Sequence, residues 1–192
     1  MGRLAIQRST ACLMQIELPA DGHALAEPLS VYGGDRLRLI AHSLTQKETI
    51  CASIGHLSNV AIVPAGGGMM SHLSAWENLV LPVWYHDTGA LKALEAWLEM
   101  VMRHCEVDAA TIERLKHSMP GELTPFEKAL AAFLRAMVAE PDLILFENLL
   151  DGMAARDVAR IIQFEDVFHL FFPFRASLRV LFTLSPTGEQ PM

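Results

Sequence analysis

The chain has 192 residues, is 52% hydrophobic and carries a formal net charge of −7. That supplies one substantial core, with or without an inserted lobe, and the scattered basic residues give no electrostatic footprint for nucleic acid, so none is expected as a partner. No apolar run approaches the ~20 residues a bilayer span needs. The stretch Met1 to Thr10 lacks the apolar centre of a signal peptide, and Cys12, Cys51 and Cys105 lack paired metal spacing, so a cytoplasmic protein with free thiols is expected.

In chain order, Leu13 to Leu18 and Leu29 to Tyr32 read as a small peripheral sheet with Gly33-Gly34 as a turn. Leu37 to Ala41, Val60 to Pro64, Leu143 to Phe146 and Arg179 to Thr183 are apolar nearly throughout and bounded by turn residues. That pattern predicts buried parallel strands. Between the second and third of these, Gly66-Gly67-Gly68 suits a hinge or tight turn. Helical spacing follows in Leu91, Leu94, Trp97, Leu98 and Val101, and again in Leu130, Phe133, Leu134 and Met137. A further helix is expected over Ala154 to Val167, with Leu149 to Gly152 as its lead-in. The aromatic run Phe164 to Phe174 reads either as a partner surface or as a helix end packed on the sheet. The ten methionines are read as gap-fillers in the core. The eight histidines never pair at helical spacing, which argues against a metal site.

Five landmarks lie in order along this frame. Ala41 to Thr49 follows the strand-like Arg36-Leu37-Arg38-Leu39-Ile40, where a phosphate-binding loop G-x-x-x-x-G-K-S/T would sit. Val60 to Gly68 forms a strand and glycine turn. Leu73-Ser74-Ala75-Trp76-Glu77-Asn78-Leu79 is similar to "L-T-V-x-E-N-V". Leu123-Thr124-Pro125-Phe126-Glu127 stands at the register of "L-S-G-G-Q", and its continuation Ala131 to Met137 is similar to "V-A-L-A-R-A-L". Pro141 to Met153 carries an apolar strand ending in an acid. In this order the chain resembles the nucleotide-binding subunit of an ATP-binding cassette (ABC) transporter, from about Leu13 to Ser185. The resemblance implies an α/β fold: a P-loop NTPase-like parallel sheet core with a small antiparallel β subdomain and an inserted ABC-type helical subdomain. It divides a single cassette into a core of 1–64 and 136–192 and a helical subdomain of 65–135.

The resemblance also marks what is altered. The nucleotide-binding remnant comprises Ser43, Thr45, Lys47, Glu48 and Thr49, but Ala41 and Gln46 fill both glycine positions. Glycines there let backbone N–H groups approach phosphate. Glu48 replaces the metal-binding hydroxyl. A like charge ~4 Å from a phosphate costs about 4 kcal/mol at an effective dielectric of ~20, although Glu48 could instead ligate Mg²⁺ as a carboxylate, together with Glu147 at the Walker B position. Asn148 stands at the general-base position and accepts no proton from water. Ala65 stands at the Q-loop glutamine and Leu184 at the switch histidine. Thr124-Pro125-Phe126 replaces Ser-Gly-Gly of the signature between Leu123 and Glu127, with no N–H on Pro125 and a ring on Phe126. Asp21 to Pro28 offers no Tyr or Phe to stack on adenine. No catalytic residue and no cofactor are therefore expected, although ATP with Mg²⁺ is what the resemblance implies.

Docking is the function the resemblance leaves standing. Met69, Met70, Leu73 and Trp76 correspond to the stretch that receives a helix from an integral-membrane permease, while the alternative is that Trp76 and Leu79 to Val83 pack the helical lobe. A second ABC subunit, as homo- or heterodimer, is the other implied partner. The implied location is the inner face of the cell membrane, and Glu77 to His86 leans towards lipid-transport permeases of the Mla type. Three functions stay open: a non-hydrolytic scaffold or regulator of a permease complex, a divergent active ATPase using Lys47, Glu48 and Glu147, and an interaction protein without a permease.

Overall fold

The computed structural model describes residues 12–17, 28–64, 66–84, 91–147, 149 and 153–182. Among the described residues, six strands and six α-helices run in the order β1 (Cys12–Ile16), β2 (Leu29–Tyr32), β3 (Arg36–Ala41), α1 (Leu44–Gly55), β4 (Val60–Val63), α2 (Ala75–Trp84), α3 (Leu91–His104), α4 (Ala109–His117), α5 (Pro125–Val138), β5 (Leu143–Glu147), α6 (Ala155–Phe171) and β6 (Ala176–Phe182).

Strands β3, β6, β5 and β4 form one parallel sheet in that order, and β1 pairs antiparallel with β2 apart from it. Side chains alternate across a strand, and β5 shows the consequence. Ile144 and Phe146 join one core cluster with α2 to α6, while Leu143 and Leu145 join a second with α1, β1 and β2. A strand buried on both faces must be apolar, which is why Leu143 to Phe146 of β5 reads as a continuous hydrophobic run.

The first cluster is held by stacked rings. Phe133 of α5 lies 4.6 Å from Phe164 of α6 at 10° between planes, and 6.3 Å from Phe146 of β5. Helix α5 is apolar on nearly every side, with ten of its residues buried, so it is the central rod of the helical layer and not a surface helix. It runs unbroken to Val138.

Two expected element boundaries shift. Strand β6 begins at Ala176, three residues before Arg179, because Ser177 is fully buried among polar partners instead of marking a turn. Helix α6 continues beyond Val167 to Phe171. Its Phe164 and Phe168 are fully buried, and of the aromatic run Phe174 is the exposed member, at 66%. Thr183 and Leu18 lie outside the described residues.

The glycine segment is a clamped turn. Gly67 and Gly68 have φ of 80° and 53°, a region costly for any side chain. A Cβ on Gly68 would meet Pro64 at 2.9 Å. Arg135 donates to both their carbonyls, at 3.2 Å to Gly67 and 2.7 Å to Gly68, and burial lowers the pKa of its guanidinium.

Candidate functional site

Strand β3 ends at Ala41 and α1 begins at Leu44, leaving only His42 and Ser43 between them. Ser43 is the N-cap, its hydroxyl accepting from the Gln46 N–H at 3.0 Å. The Gln46 side chain folds back, and its Oε1 accepts from the His42 N–H at 2.7 Å. Two amides at the start of this helix are therefore satisfied by the chain itself, as in a capping box. Thr49 donates its hydroxyl to the Thr45 carbonyl at 2.8 Å, and Leu44 is 55% exposed.

Lys47 turns inward. It is 8% exposed, and its Nζ lies 3.0 Å from Glu147 Oε1 at the end of β5. Glu48 lies on the exposed face of α1, so of the two it is Lys47 that meets the acid of β5. Cys51 sits one turn further along. Burial first, and the Glu147 charge second, push its thiol up to about 11 against the opposing pull of Lys47. Among the described residues no group of three or more His, Cys, Asp or Glu is placed to hold a metal.

The fourth landmark, Leu123 to Glu127, is also a helix start. Thr124 caps α5 with Pro125 in the first turn, a position where its missing N–H costs nothing. Thr124 N–H donates to Glu127 Oε2 at 2.8 Å and Glu127 N–H to the Thr124 hydroxyl at 3.3 Å. Glu127 is 4% exposed, and Arg114 of α4 grips it through Nε at 2.8 Å and Nη2 at 3.0 Å. Phe126 turns into the core, with the Arg160 guanidinium 3.8 Å above its ring. The capping box, and not a projecting ring, closes this turn. Leu123 is buried beside it.

Of the docking residues, Met70 is 47% exposed, while Met69 and Trp76 pack partly against the first core cluster and Leu73 is half-buried. Their loop is stapled by Asn78, itself 1% exposed. Its Oδ1 accepts from the Met70 N–H at 2.7 Å, and its Nδ2 donates to the carbonyls of Met70, Leu73 and Ser74 at 3.0, 3.2 and 2.9 Å. Ser74 and Glu77 cap α2 reciprocally, and the Ser74 amide holds the Glu77 carboxyl below its ordinary range. Ala65, Asn148 and Leu184 lie outside the described residues, as do 21–27 and 150–152.

One cluster had no expectation attached. Behind β6, the Ser177 hydroxyl donates to Glu165 at 2.5 Å and lies 2.9 Å from His169 Nε2, and Arg179 Nε donates to Glu165 at 2.8 Å. All four are buried. Burial opposes ionisation of Glu165, but the hydrogen bonds from Ser177 and Arg179 outweigh it and lower its pKa. Burial, then the Arg36 charge, lowers His169 to about 4. Alternation of polar residues in β6 was the available signal.

No family model and no curated protein sequence matches the chain. In three dimensions it is similar to cbiO1 from Clostridium perfringens, part of the ABC transporter complex cbiONQ. The TM-score is 0.68 at 11% identity, over 90% of this chain and 79% of that one. It is also similar to a dimeric bacterial ABC transporter cassette (TM-score 0.64, 16% identity, 80% of this chain and 77% of that one). An ATP-binding subunit of an ABC transporter gives 0.63 at 14% identity, over 89% and 80%. The fold is that of an ABC transporter nucleotide-binding domain, a P-loop NTPase-type α/β sheet with an added antiparallel pair. Identity this low fixes the architecture and leaves the chemistry to the residues.

Proposed function

We propose that this chain is an ABC-type cassette subunit that does not hydrolyse ATP and serves as scaffold or regulator of a membrane permease complex, at the cytoplasmic face of the membrane. The observation that carries the reading is self-occupancy of both phosphate-facing helix starts. Gln46 and Ser43 fill one, and Glu127 with Arg114 fills the other. Lys47, the remaining cation of the loop, is already paired with Glu147. The residues present do not fit a triphosphate with its magnesium: two linking residues cannot wrap a phosphate, and a carboxylate stands where an anion would bind. The lean of Glu77 to His86 towards lipid-transport permeases extends the same proposal to a lipid cargo.

Calorimetry with Mg-ATP and a phosphate-release assay on the purified chain test the first half, with neither binding nor turnover expected. Low-micromolar binding with robust turnover overturns it in favour of an active ATPase, in which Lys47→Ala and Glu147→Gln abolish function in cells. Isolation from solubilised membranes tests the second half. Recovery with an integral-membrane permease is expected, and recovery without one points to a free-standing interaction protein.

A further inference from the structure

The start of α2 and the end of α4 share one surface, because the Ala75 N–H donates to the Ser118 carbonyl at 2.9 Å. This brings Met119, 38% exposed, beside the loop that carries Met70, 47% exposed. Asn78 fixes that loop through four hydrogen bonds, and the Met119 N–H is held by Glu122 at 2.7 Å, so each methionine is presented on a hydrogen-bonded base. Thioethers on such a base adapt to the apolar face of an incoming helix.

At the rim of this patch lies a cavity of about 280 Å³ lined by Trp76, Glu95, Glu99, Lys116 and His117. By the ~30 Å³ share of one water, that is room for about nine waters, on the order of one long side chain. Its charges are unbalanced. Glu99 stands 3.6 Å from Arg103 and 3.8 Å from Lys116, and Lys116 is shared with Glu113 at 3.5 Å. Glu95 has no ion pair or hydrogen bond among the described residues. Two carboxylates, Glu95 and Glu99, thus line the cavity against one permanent cation, Lys116, with His117 3.6 Å from Glu113, beside an indole whose face attracts a cation.

We infer that this cavity takes a basic side chain, an arginine, projecting from the apolar helix that docks on Met70 and Met119. A planar guanidinium stacks on Trp76 while it pairs with Glu95, which a lysine does less well. The inference rests on the proposed permease partnership for the identity of the helix, but the cavity's charge stands apart from it.

Two synthetic leucine-faced helical peptides, identical except for a central Arg or Glu, test this by calorimetry against the intact chain. The Arg peptide is expected to bind at least about tenfold tighter. Glu95→Gln should collapse that preference, Glu95→Arg should reverse it, and Trp76→Leu should weaken both peptides. Binding of neither peptide, equal binding of both, or a preference that survives Glu95→Gln overturns the inference. An arginine preference in a chain that isolates without a permease keeps the cavity and overturns its assigned partner. Permease co-isolation with no arginine preference does the reverse.

Discussion

The starts of α1 and α5 follow one plan and end in different states. Each opens on a hydroxyl cap, Ser43 or Thr124, and each folds the side chain three residues on, Gln46 or Glu127, back over the turn. At α5 the returning group is a buried carboxylate gripped by Arg114, with Leu123 and Phe126 in the core beside it. At α1 it is a neutral amide over exposed Ser43 and Leu44, and the charge lies deeper as the Lys47–Glu147 pair. One start is closed by charge and the other only by occupancy. An anion arriving at α5 meets a fixed negative group, whereas at α1 it has to displace an amide and draw Lys47 off Glu147.

The largest expected effect tests the core that carries the α5 end. Phe133→Ala removes the ring that stacks on Phe164 and Phe146 and should cost about 4 kcal/mol by denaturant titration. A loss under ~1 kcal/mol would mean that the stacked rings do not anchor α5 and its start. Acid comes next. Folded His169 stays neutral down to about 4, while an unfolded histidine protonates near ~6.5. Between those values the unfolded chain binds more protons, so stability falls as pH drops from ~6.5 to ~4, by on the order of 3 kcal/mol. His169→Gln should flatten that slope, and an unchanged slope would place the acid sensitivity elsewhere.

The caps themselves follow. Glu127→Ala loses a cap and a half-exposed ion pair and should cost about 2 kcal/mol. Ser43→Ala at the exposed start should cost about 0.5 kcal/mol. Equal losses would abolish the distinction between closure by charge and closure by occupancy. Between these two in size is the pair beneath α1. A double-mutant cycle with Lys47→Met and Glu147→Gln should return a coupling of about 1 kcal/mol, and a value near zero would leave Lys47 available to a ligand.

Strands β3, β4 and β5 were legible to within a residue; in β5 burial on both faces leaves no competing polar signal, whereas in β3 exposed Arg36 and Arg38 alternate with Leu37 and Leu39. Strand β6 was legible only from Arg179, since Ser177 is a polar residue buried by a partner, Glu165, twelve positions away in sequence. Ser43 and Gln46 form a helix-start signature that is readable locally, but the phosphate-loop register drew attention to the glycine positions instead. The pairing of Arg114 with Glu127 and of Arg135 with Gly67 and Gly68 was not legible. Each joins elements whose approach depends on how the apolar helices pack, which residue types alone do not specify.

The two core clusters each contain one thiol, Cys51 in the cluster under α1 and Cys105 at the end of α3. Burial pushes Cys105 up to about 12 and Cys51 to about 11, so neither presents much of the thiolate that reacts with alkylating reagents. Their labelling then proceeds at the rate at which each cluster opens, while exposed Cys12 reacts first and sets the reference. The chain carries a chemical clock for each half of its interior. A helix docking near Met70 and Met119 should slow the Cys105 clock and leave that of Cys51 running.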